Sequence, residues 1–493
     1  MKEKLYSLIQ TLHEKLSSAK PSPSPEKFII RNEVLVECHI SASERELILP
    51  QGIRSISGSA FYNLRNVEKV TFPEGLRTIG KSAFGNCYNL KSVRFPESLV
   101  SIGESAFAGC EKLTEVYFPK NIRVIEAYAF SRCKSLKKIN LKSVAELGKG
   151  CFTRCESLEE AILPEQCDIP EECFEYCENL KTVRMPSAML KIGRDSFRCC
   201  SGLKHIVLPS TLRIIERGAF HSCFSLTGIQ IPENAETIEK LAFYECRNMS
   251  YAVIPSTVKH IGASVFDSCF SLERVSIAEG IDEIPCDMFN HCTGLKAIHI
   301  PRGVQKISAM AFADCTALEE ITIPETAVSV SDRAFENCPS IRKLTFQELS
   351  FRTDEFCSSG LFAFPADAIF CIMQAVSAYQ QKSEKDLQNP QIAYVYQYLF
   401  RSFLQSPEDV ILSDFVHQNL KLMFSSLILI KDESSVRHLL ENSSLITKEN
   451  ITDFILYANQ KECYEIQVIL SEYQHKTLGY DSIADTVRKK FEL

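Results

Sequence analysis

The sequence predicts an α/β fold in which a repetitive solenoid, with a parallel sheet of about 13 units, precedes an all-α C-terminal region. Three observations predict this fold. Phenylalanine recurs every 23 residues, with two intervals of 22, from Phe61 to Phe335. Short runs of alternating apolar and polar residues, usually closed by proline, recur with the same period and are typical of strands. From about Ala366 the spacing of apolar residues becomes helical.

Each repeat unit carries the same apolar positions. A cysteine follows the phenylalanine by three residues in every unit from Cys87 to Cys338, and an apolar residue such as Leu90 follows three residues later. A strand-like pair comes next, Val93 and Phe95 in that unit, and a second apolar pair leads back to Ala-Phe. We interpret Ala-Phe-x-x-Cys as one helical or 3₁₀ turn, because it is too short for an independent helix. A single unit cannot bury these side chains, so stacked units must bury them against one another.

The recurring pattern Leu-x-x-Val-x-Ile-Pro, followed by Ile-Gly-x-x-Ala-Phe-x-x-Cys, resembles the BspA-like class of leucine-rich repeats over residues 46–346. Residues 28–50 resemble the strand-rich segment that this family often places before its first full unit. The resemblance implies a curved leucine-rich-repeat solenoid. For the named members of the family it also implies binding to other macromolecules at cell surfaces, an implication that is weaker because a fold does not fix a function.

The predicted domain order places the solenoid, with its N-terminal strand cap, at residues 28–346. Residues 1–16 are predicted to form an amphipathic helix and residues 17–27 an extended Ser/Pro linker. Residues 347–493 are predicted to be helical and to cap the last unit, with partner binding as an additional role, and they faintly resemble ankyrin-type helix pairs. The candidate helices are 366–380, 390–404, 408–430, 434–441, 448–459, 462–474 and 482–491.

Charge and hydropathy argue against two classes of partner. The formal net charge is −7 at pH 7, whereas a protein that binds nucleic acid or an anionic membrane needs an excess of positive charge. The sequence contains no continuous run of 18 apolar residues, so we predict no stable membrane insertion. A protein partner is therefore expected, and nucleic acid is not.

The 21 cysteines could indicate disulfides or a metal site. Twelve of them are one repeat unit apart, and the chain has no Cys-x-x-Cys pair, so packed thiols are the favoured interpretation. Because no convincing signal peptide precedes these thiols, the sequence favours a cytoplasmic, reducing location. The alternative is the cell surface, or secretion by an unconventional route.

Catalytic signatures are missing from the sequence. We find no phosphate-binding loop, no nucleophile elbow, no His-Glu-x-x-His and no dinucleotide-binding glycine motif. The ten histidines are scattered along the chain without pairing. We therefore predict that the chain is not an enzyme and that it has no catalytic residues, no metal site and no cofactor.

Binding is expected where the repeat keeps its backbone constant and varies its side chains. In a Val-x-Ile strand, the residue between the two apolar positions and the residue before them should point outward. Apolar side chains on a solvent-exposed face mark protein contacts, and Arg and Tyr are enriched at protein–protein interfaces. The predicted binding residues are Arg94, Tyr117, Ile162, Arg184, His205, Val207, Tyr251, Val253, Arg274 and His299. The predicted function is a non-enzymatic protein–protein interaction scaffold, and the alternative is a cell-surface adhesin that binds host or matrix proteins.

Overall fold

The computed structural model of the protein describes residues 27–41, 43–377 and 389–479. The predicted N-terminal helix, nearly all of the predicted linker and the predicted helix 482–491 lie outside the described residues. The chain divides into two compact units, residues 1–212 and 213–493. The repeats form a parallel β-solenoid of about 14 turns, and helices follow it.

Most solenoid turns of the first unit contribute to two sheets. In one of them, here called the three-residue sheet, five of the seven strands have a buried middle side chain between two exposed neighbours, as in Lys69–Thr71. This pattern arises because successive side chains of a strand point to opposite faces. The strands of this sheet are β3 (Glu46–Ile48), β5 (Lys69–Thr71), β7 (Ser92–Arg94), β9 (Glu115–Tyr117), β11 (Lys138–Asn140), β13 (Glu160–Ile162) and β14 (Thr182–Arg184).

The second sheet of the first unit begins with an antiparallel hairpin and continues with two-residue parallel strands. Its strands are β1 (Phe28–Arg31), β2 (Val34–Cys38), β4 (Ser55–Ile56), β6 (Thr78–Ile79), β8 (Ser101–Ile102), β10 (Val124–Ile125) and β12 (Glu146–Leu147). Strand β15 (Lys191–Ile192) follows later in the chain, and residues 203–209 form no strand.

The second unit repeats both kinds of strand. Its two-residue strands are β16 (Ile214–Ile215), β18 (Thr237–Ile238), β20 (His260–Ile261), β22 (Glu283–Ile284), β24 (Lys306–Ile307) and β26 (Ser329–Val330). Its longer strands are β17 (Gly228–Gln230), β19 (Tyr251–Ile254), β21 (Arg274–Ile277), β23 (Ala297–His299), β25 (Glu320–Ile323), β27 (Lys343–Phe346) and β28 (Leu349–Arg352). The last pair, β27 and β28, is antiparallel and ends the parallel ladder.

The Ala-Phe-x-x-Cys segments are not the helical or 3₁₀ turns that the sequence predicts. Ser82 and Asn86, on either side of Phe84, have φ angles of 52° and 60°, values in the left-handed region that a right-handed helix excludes. The reason lies in stacking. The N–H groups of these three residues donate hydrogen bonds of 2.7–2.8 Å to carbonyls of the next solenoid turn, whereas those of Gly85 and Cys87 donate to carbonyls three residues back. Inter-turn bonds therefore alternate with local ones, and no continuous helix forms.

The spine phenylalanines form the core that the period predicts. Their rings are buried, and within each unit neighbouring rings stack with centroids 4.7 to 5.9 Å apart. The rings of Phe84 and Phe107, for example, lie 5.1 Å apart with planes 4° from parallel. Each buried ring contributes roughly 1.5–3 kcal/mol of transfer free energy, which no unit could obtain alone.

Seven helices follow β28 among the described residues, and six of them lie close to predicted ones. They are α1 (Thr353–Ser358), α2 (Pro365–Ser377), α3 (Pro390–Gln405), α4 (Val410–Leu429), α5 (Glu433–Asn442), α6 (Ile451–Gln460) and α7 (Tyr464–Lys476). The predicted start of α4 at Glu408 is two residues early, because the Asp409 side chain accepts a 3.0 Å hydrogen bond from the Leu412 N–H and caps the helix. The helical region contacts the end of the sheet, where the ring of Phe351 lies 5.9 Å from that of Tyr398.

Candidate interaction surface

The outer face of the three-residue sheet carries the residues that the sequence singles out in the first unit. In β7 and β9 the middle valines are buried, whereas Arg94 and Tyr117 are exposed. Parallel pairing places these two side chains in register on adjacent strands. Alternation within each strand and stacking between strands therefore bring together side chains that are 23 residues apart in the chain.

A depression of 630 Å³ opens in this face across β9, β11 and β13. Strands β7 and β9 pair at three successive positions, but β9 and β11 pair only between Glu115 and Lys138. The two strands therefore separate as a hydrogen-bonded pair beyond that point, and Tyr117 and Asn140 both line the depression. The first of the two 22-residue units begins at Phe130 and contains β11, so a shortened repeat accompanies the separation.

The depression has an apolar interior and a rim of paired charges. Tyr117, Val116, Ile139 and Ile162 supply the apolar surface. On the rim, the ammonium of Lys138 lies 2.9 Å from Glu160, and the carboxylate of Glu160 raises the pKa of Lys138 by accepting a hydrogen bond and by its charge. An apolar centre within a polar rim is the usual composition of a protein–protein interface.

The hydroxyl of Tyr117 donates a 3.0 Å hydrogen bond to Oε2 of Glu115. This bond, together with the charge of Glu115, raises the pKa of Tyr117. The Tyr117 side chain is 58% exposed, so the bond orients the ring without removing it from solvent. A large ring held in this way can contact a partner with little loss of side-chain entropy.

A second depression, of 580 Å³, lies beside β14 and contains three predicted residues: Arg184, His205 and Val207. Arg184 is on β14, whereas His205 and Val207 lie in residues 203–209, where the backbone is irregular. Both remain exposed, and Val207 is 83% accessible. Ile162 of the first depression is in register with Arg184, so the two depressions adjoin on one face.

The remaining predicted residues lie in the second unit. Tyr251 and Val253 are on β19, and Tyr251 is in register with Arg274 of β21. On its other side Tyr251 is in register with Gly228, where an added Cβ would lie 2.1 Å from the tyrosine ring. Glycine therefore allows the ring to lie across β17. Val253 is half-buried, and His299 is exposed on β23, in a different sheet from Tyr251.

Sequence reasoning missed one exposed apolar residue of this face and the depressions themselves. Ile48 is 68% exposed on β3, in register with Thr71. Ile48 occupies the same outward strand position as Thr71, one repeat earlier in the chain, so the 23-residue period is the signal that points to it. The depression depends on how two strands diverge, and the 22-residue interval was its signal in the sequence.

The spine cysteines have a structural role that the spacing did not reveal. The thiol of Cys110 lies 3.3 Å from the carbonyl oxygen of Phe84 in the preceding turn and donates to it, and the same contact recurs along the spine. Burial raises the pKa of Cys87 to about 12, so this thiol stays protonated and able to donate. All 21 cysteines are free thiols. Over the part of the chain that the structure describes, no group of three or more His, Cys, Asp or Glu residues could hold a metal ion.

Comparison with known proteins agrees with this architecture. Six copies of the BspA type leucine rich repeat region match over residues 30–159, 167–296 and 282–361. A leucine-rich repeat protein from Bacteroides ovatus is 26% identical, with a TM-score of 0.50, and the match covers 61% of this chain and 78% of that one. A leucine rich cell surface protein from Faecalibacterium prausnitzii is 23% identical over 67% of this chain and 96% of that one, with a TM-score of 0.39.

A leucine rich repeat protein from T. pallidum is 28% identical over 37% of this chain and 91% of that one, with a TM-score of 0.34. No curated protein matches the chain. Among the described helices, none combines the length and apolar character that crossing a membrane requires. The matched repeats span more than half of the sequence, and the chain belongs to the BspA type leucine-rich repeat family.

Proposed function

We propose that the chain is a non-enzymatic protein–protein interaction scaffold whose partner binds the outer face of the three-residue sheet in the first unit. Leucine-rich-repeat proteins generally bind proteins. The observation that carries the proposal is the 630 Å³ depression, where exposed Tyr117 and half-buried Ile162 border an apolar interior. A partner side chain placed there would bury apolar surface, and the paired rim charges would stay hydrated.

The polar groups at this depression favour binding over catalysis. Glu115 accepts a hydrogen bond from Tyr117, and Glu160 is paired with Lys138. Each carboxylate is therefore already bonded to a neighbour, whereas a general base needs a carboxylate that is free to accept a proton from the substrate. Orientation of side chains for recognition is the role that this arrangement supports.

We further propose that the protein works in a reducing compartment such as the cytoplasm. Buried Cys151 and Cys173 lie in consecutive turns with their sulfurs 3.4 Å apart. An oxidising compartment would favour a bond between such neighbours and mispairing among the other cysteines. Trapping thiols with an alkylating reagent at cell lysis tests this proposal. Fully reduced protein in the soluble fraction supports it, and protein that carries disulfides contradicts it.

Partner capture by the full-length chain tests the binding face. The test variant combines Tyr117→Ala with Ile162→Lys, which removes the aromatic ring and places a charge in the apolar interior. The matched control combines Tyr62→Ala with Ile30→Lys, two exposed positions of the same unit outside this face. We expect the test variant to capture at least tenfold less of a partner that the wild type and the control both retain. Equal capture by the two variants would place the site elsewhere.

A further inference from the structure

A second depression, here called the turn groove, lies on the side of the first unit that the Ala-Phe-x-x-Cys segments form. It encloses 340 Å³, within the range of pockets that bind small ligands. The hydroxyl side chains of Ser131 and Thr153, each the residue after a spine phenylalanine, lie at its base and are only 8% and 6% exposed. The groove therefore has a polar base below the level of the surrounding side chains.

Tyr128 forms one side of the groove. Its ring lies across Gly150 of the next turn, where an added Cβ would be 2.4 Å from Cε1 of the ring. The hydroxyl reaches one turn further and donates a 3.1 Å hydrogen bond to Oε2 of Glu172. Because Gly150 leaves this space, the half-buried ring is fixed along the groove.

The negative charges of the acidic side chains at the groove are already paired with positive charges of neighbouring side chains. The ammonium of Lys149 lies 3.1 Å from Oε1 of Glu172, and the guanidinium of Arg198 lies 3.5 Å from Oε1 of Glu175. Burial raises the pKa of Glu175, which further favours its neutral form. These carboxylates therefore contribute little negative potential to a ligand.

The basic side chains at the groove are not compensated in this way. Arg132 and Arg154 line it and are exposed. Neither forms an ion pair with a carboxylate of the described residues, although the charge of Arg154 opposes the effect of burial on the pKa of Glu175. The guanidinium of Arg154 lies 4.4 Å from the ring centroid of Tyr176, a cation–π contact that restricts its position. The groove thus presents two unpaired guanidinium groups, which match the planar geometry of a carboxylate.

We propose that the turn groove binds an acidic sugar, a hexuronate unit of a glycan, on a side of the solenoid distinct from the interaction surface. Arg132 and Arg154 would bind the carboxylate, and the ring of Tyr128 would lie against the C–H face of the pyranose. The hydroxyl of Ser131, at the base of the groove, would bind a sugar hydroxyl. The side chain of an acidic peptide offers the arginines only its carboxylate, whereas a hexuronate also offers ring hydroxyls to Ser131 and a C–H face to Tyr128, so the sugar matches more of the groove.

Calorimetric titration of the full-length protein with trigalacturonic acid and with its methyl ester tests the proposal. The ester keeps the sugar hydroxyls and loses the negative charge. We expect the ester to bind at least tenfold more weakly than the acid. Affinity for the acid should also fall as salt is raised, because salt screens the charge interaction. Equal affinity for acid and ester would overturn the proposal.

The variant Arg132→Gln with Arg154→Gln locates the site. It should bind trigalacturonic acid at least tenfold more weakly than the wild type, whereas Arg123→Gln, at an exposed arginine outside the groove, should bind normally. Both substituted side chains are exposed, and an unchanged circular dichroism spectrum verifies the fold. Unchanged affinity in the double variant would overturn the proposal. So would arginine-dependent binding of hexaglutamate that is tighter than that of the sugar, because it would assign the groove to acidic peptides.

Discussion

Raising the pH should unfold the solenoid through its buried cysteines. In the first unit, burial raises the thiol pKa of five spine residues above the reference value of 9.0: Cys87, Cys110, Cys133, Cys155 and Cys177. The unfolded chain releases these protons above about pH 9, whereas the folded chain retains them. The stability that the protonated thiols provide is therefore complete below pH 9 and is lost as the pH rises towards the folded pKa values.

The expected loss is large. Each thiol costs about 1.4 kcal/mol for every pH unit above its unfolded pKa, so at pH 10 the five thiols together remove about 7 kcal/mol. That figure is comparable with the entire free energy of unfolding of a domain, about 5–15 kcal/mol. We expect the first unit to become marginally stable or to unfold near pH 10, even under reducing conditions.

Urea denaturation at pH 8, 9 and 10 with a reducing agent measures this loss. The free energy of unfolding should decline steeply above pH 9. Tyrosines and lysines also titrate in this range, so the decisive comparison is with the variant that combines Cys110→Ala and Cys133→Ala. This variant should reduce the slope of the free energy of unfolding against pH by the contribution of about two titrating thiols. Cys286→Ala, at an exposed cysteine, is the control and should leave the slope unchanged. A free energy that is flat from pH 8 to 10 would refute the reasoning.

Three further predictions concern packing, capping and thiol accessibility. Phe107→Ala should lower the free energy of unfolding by about 3–5 kcal/mol, because it empties a fully buried site in the ring stack, whereas Tyr62→Ala at a half-exposed ring should cost far less; urea titrations compare the two. Asp409→Ala should lower thermal stability by about 1 kcal/mol through loss of the cap on α4, and Asp409→Asn should retain most of it. Iodoacetamide at pH 8 should modify Cys286 in the native protein but leave Cys87 unmodified until urea is added, as peptide mass spectrometry would reveal.

Periodicity predicted the parts of the fold that each turn repeats. Phe84, Cys87 and Leu90 are buried because stacking requires the same apolar positions in every unit. The second sheet was visible only as an apolar pair such as Leu99 and Ile102. Apart from the opening hairpin, its strands contain two residues each, too few for an alternation to show in the sequence. The hydrogen bond from each spine thiol to a phenylalanine carbonyl was also hidden, because it joins residues of different turns.

Local departures from the repeat were harder to predict than the repeat itself. The length and composition of Ala-Phe-x-x-Cys permit a helical turn, but residues such as Ser82 and Asn86 donate inter-turn hydrogen bonds and have positive φ angles instead. The short helix α1 has only six residues and thus no periodicity to detect. In the interaction surface, the outward direction of Tyr117 followed from alternation, whereas the depression beside it followed from the separation of β9 and β11.

Site-specific photo-cross-linking tests the central claim most directly. A photoreactive phenylalanine analogue introduced at position 117 of the full-length protein, in the cell that produces it, reports what contacts the sheet face. Position 62 is the control, because it is also an exposed tyrosine but follows a spine phenylalanine on a different side of the solenoid. Our account predicts a discrete protein adduct from position 117 that position 62 does not give. Adducts from position 62 alone, or none from position 117 while the wild-type protein captures its partner, would contradict it.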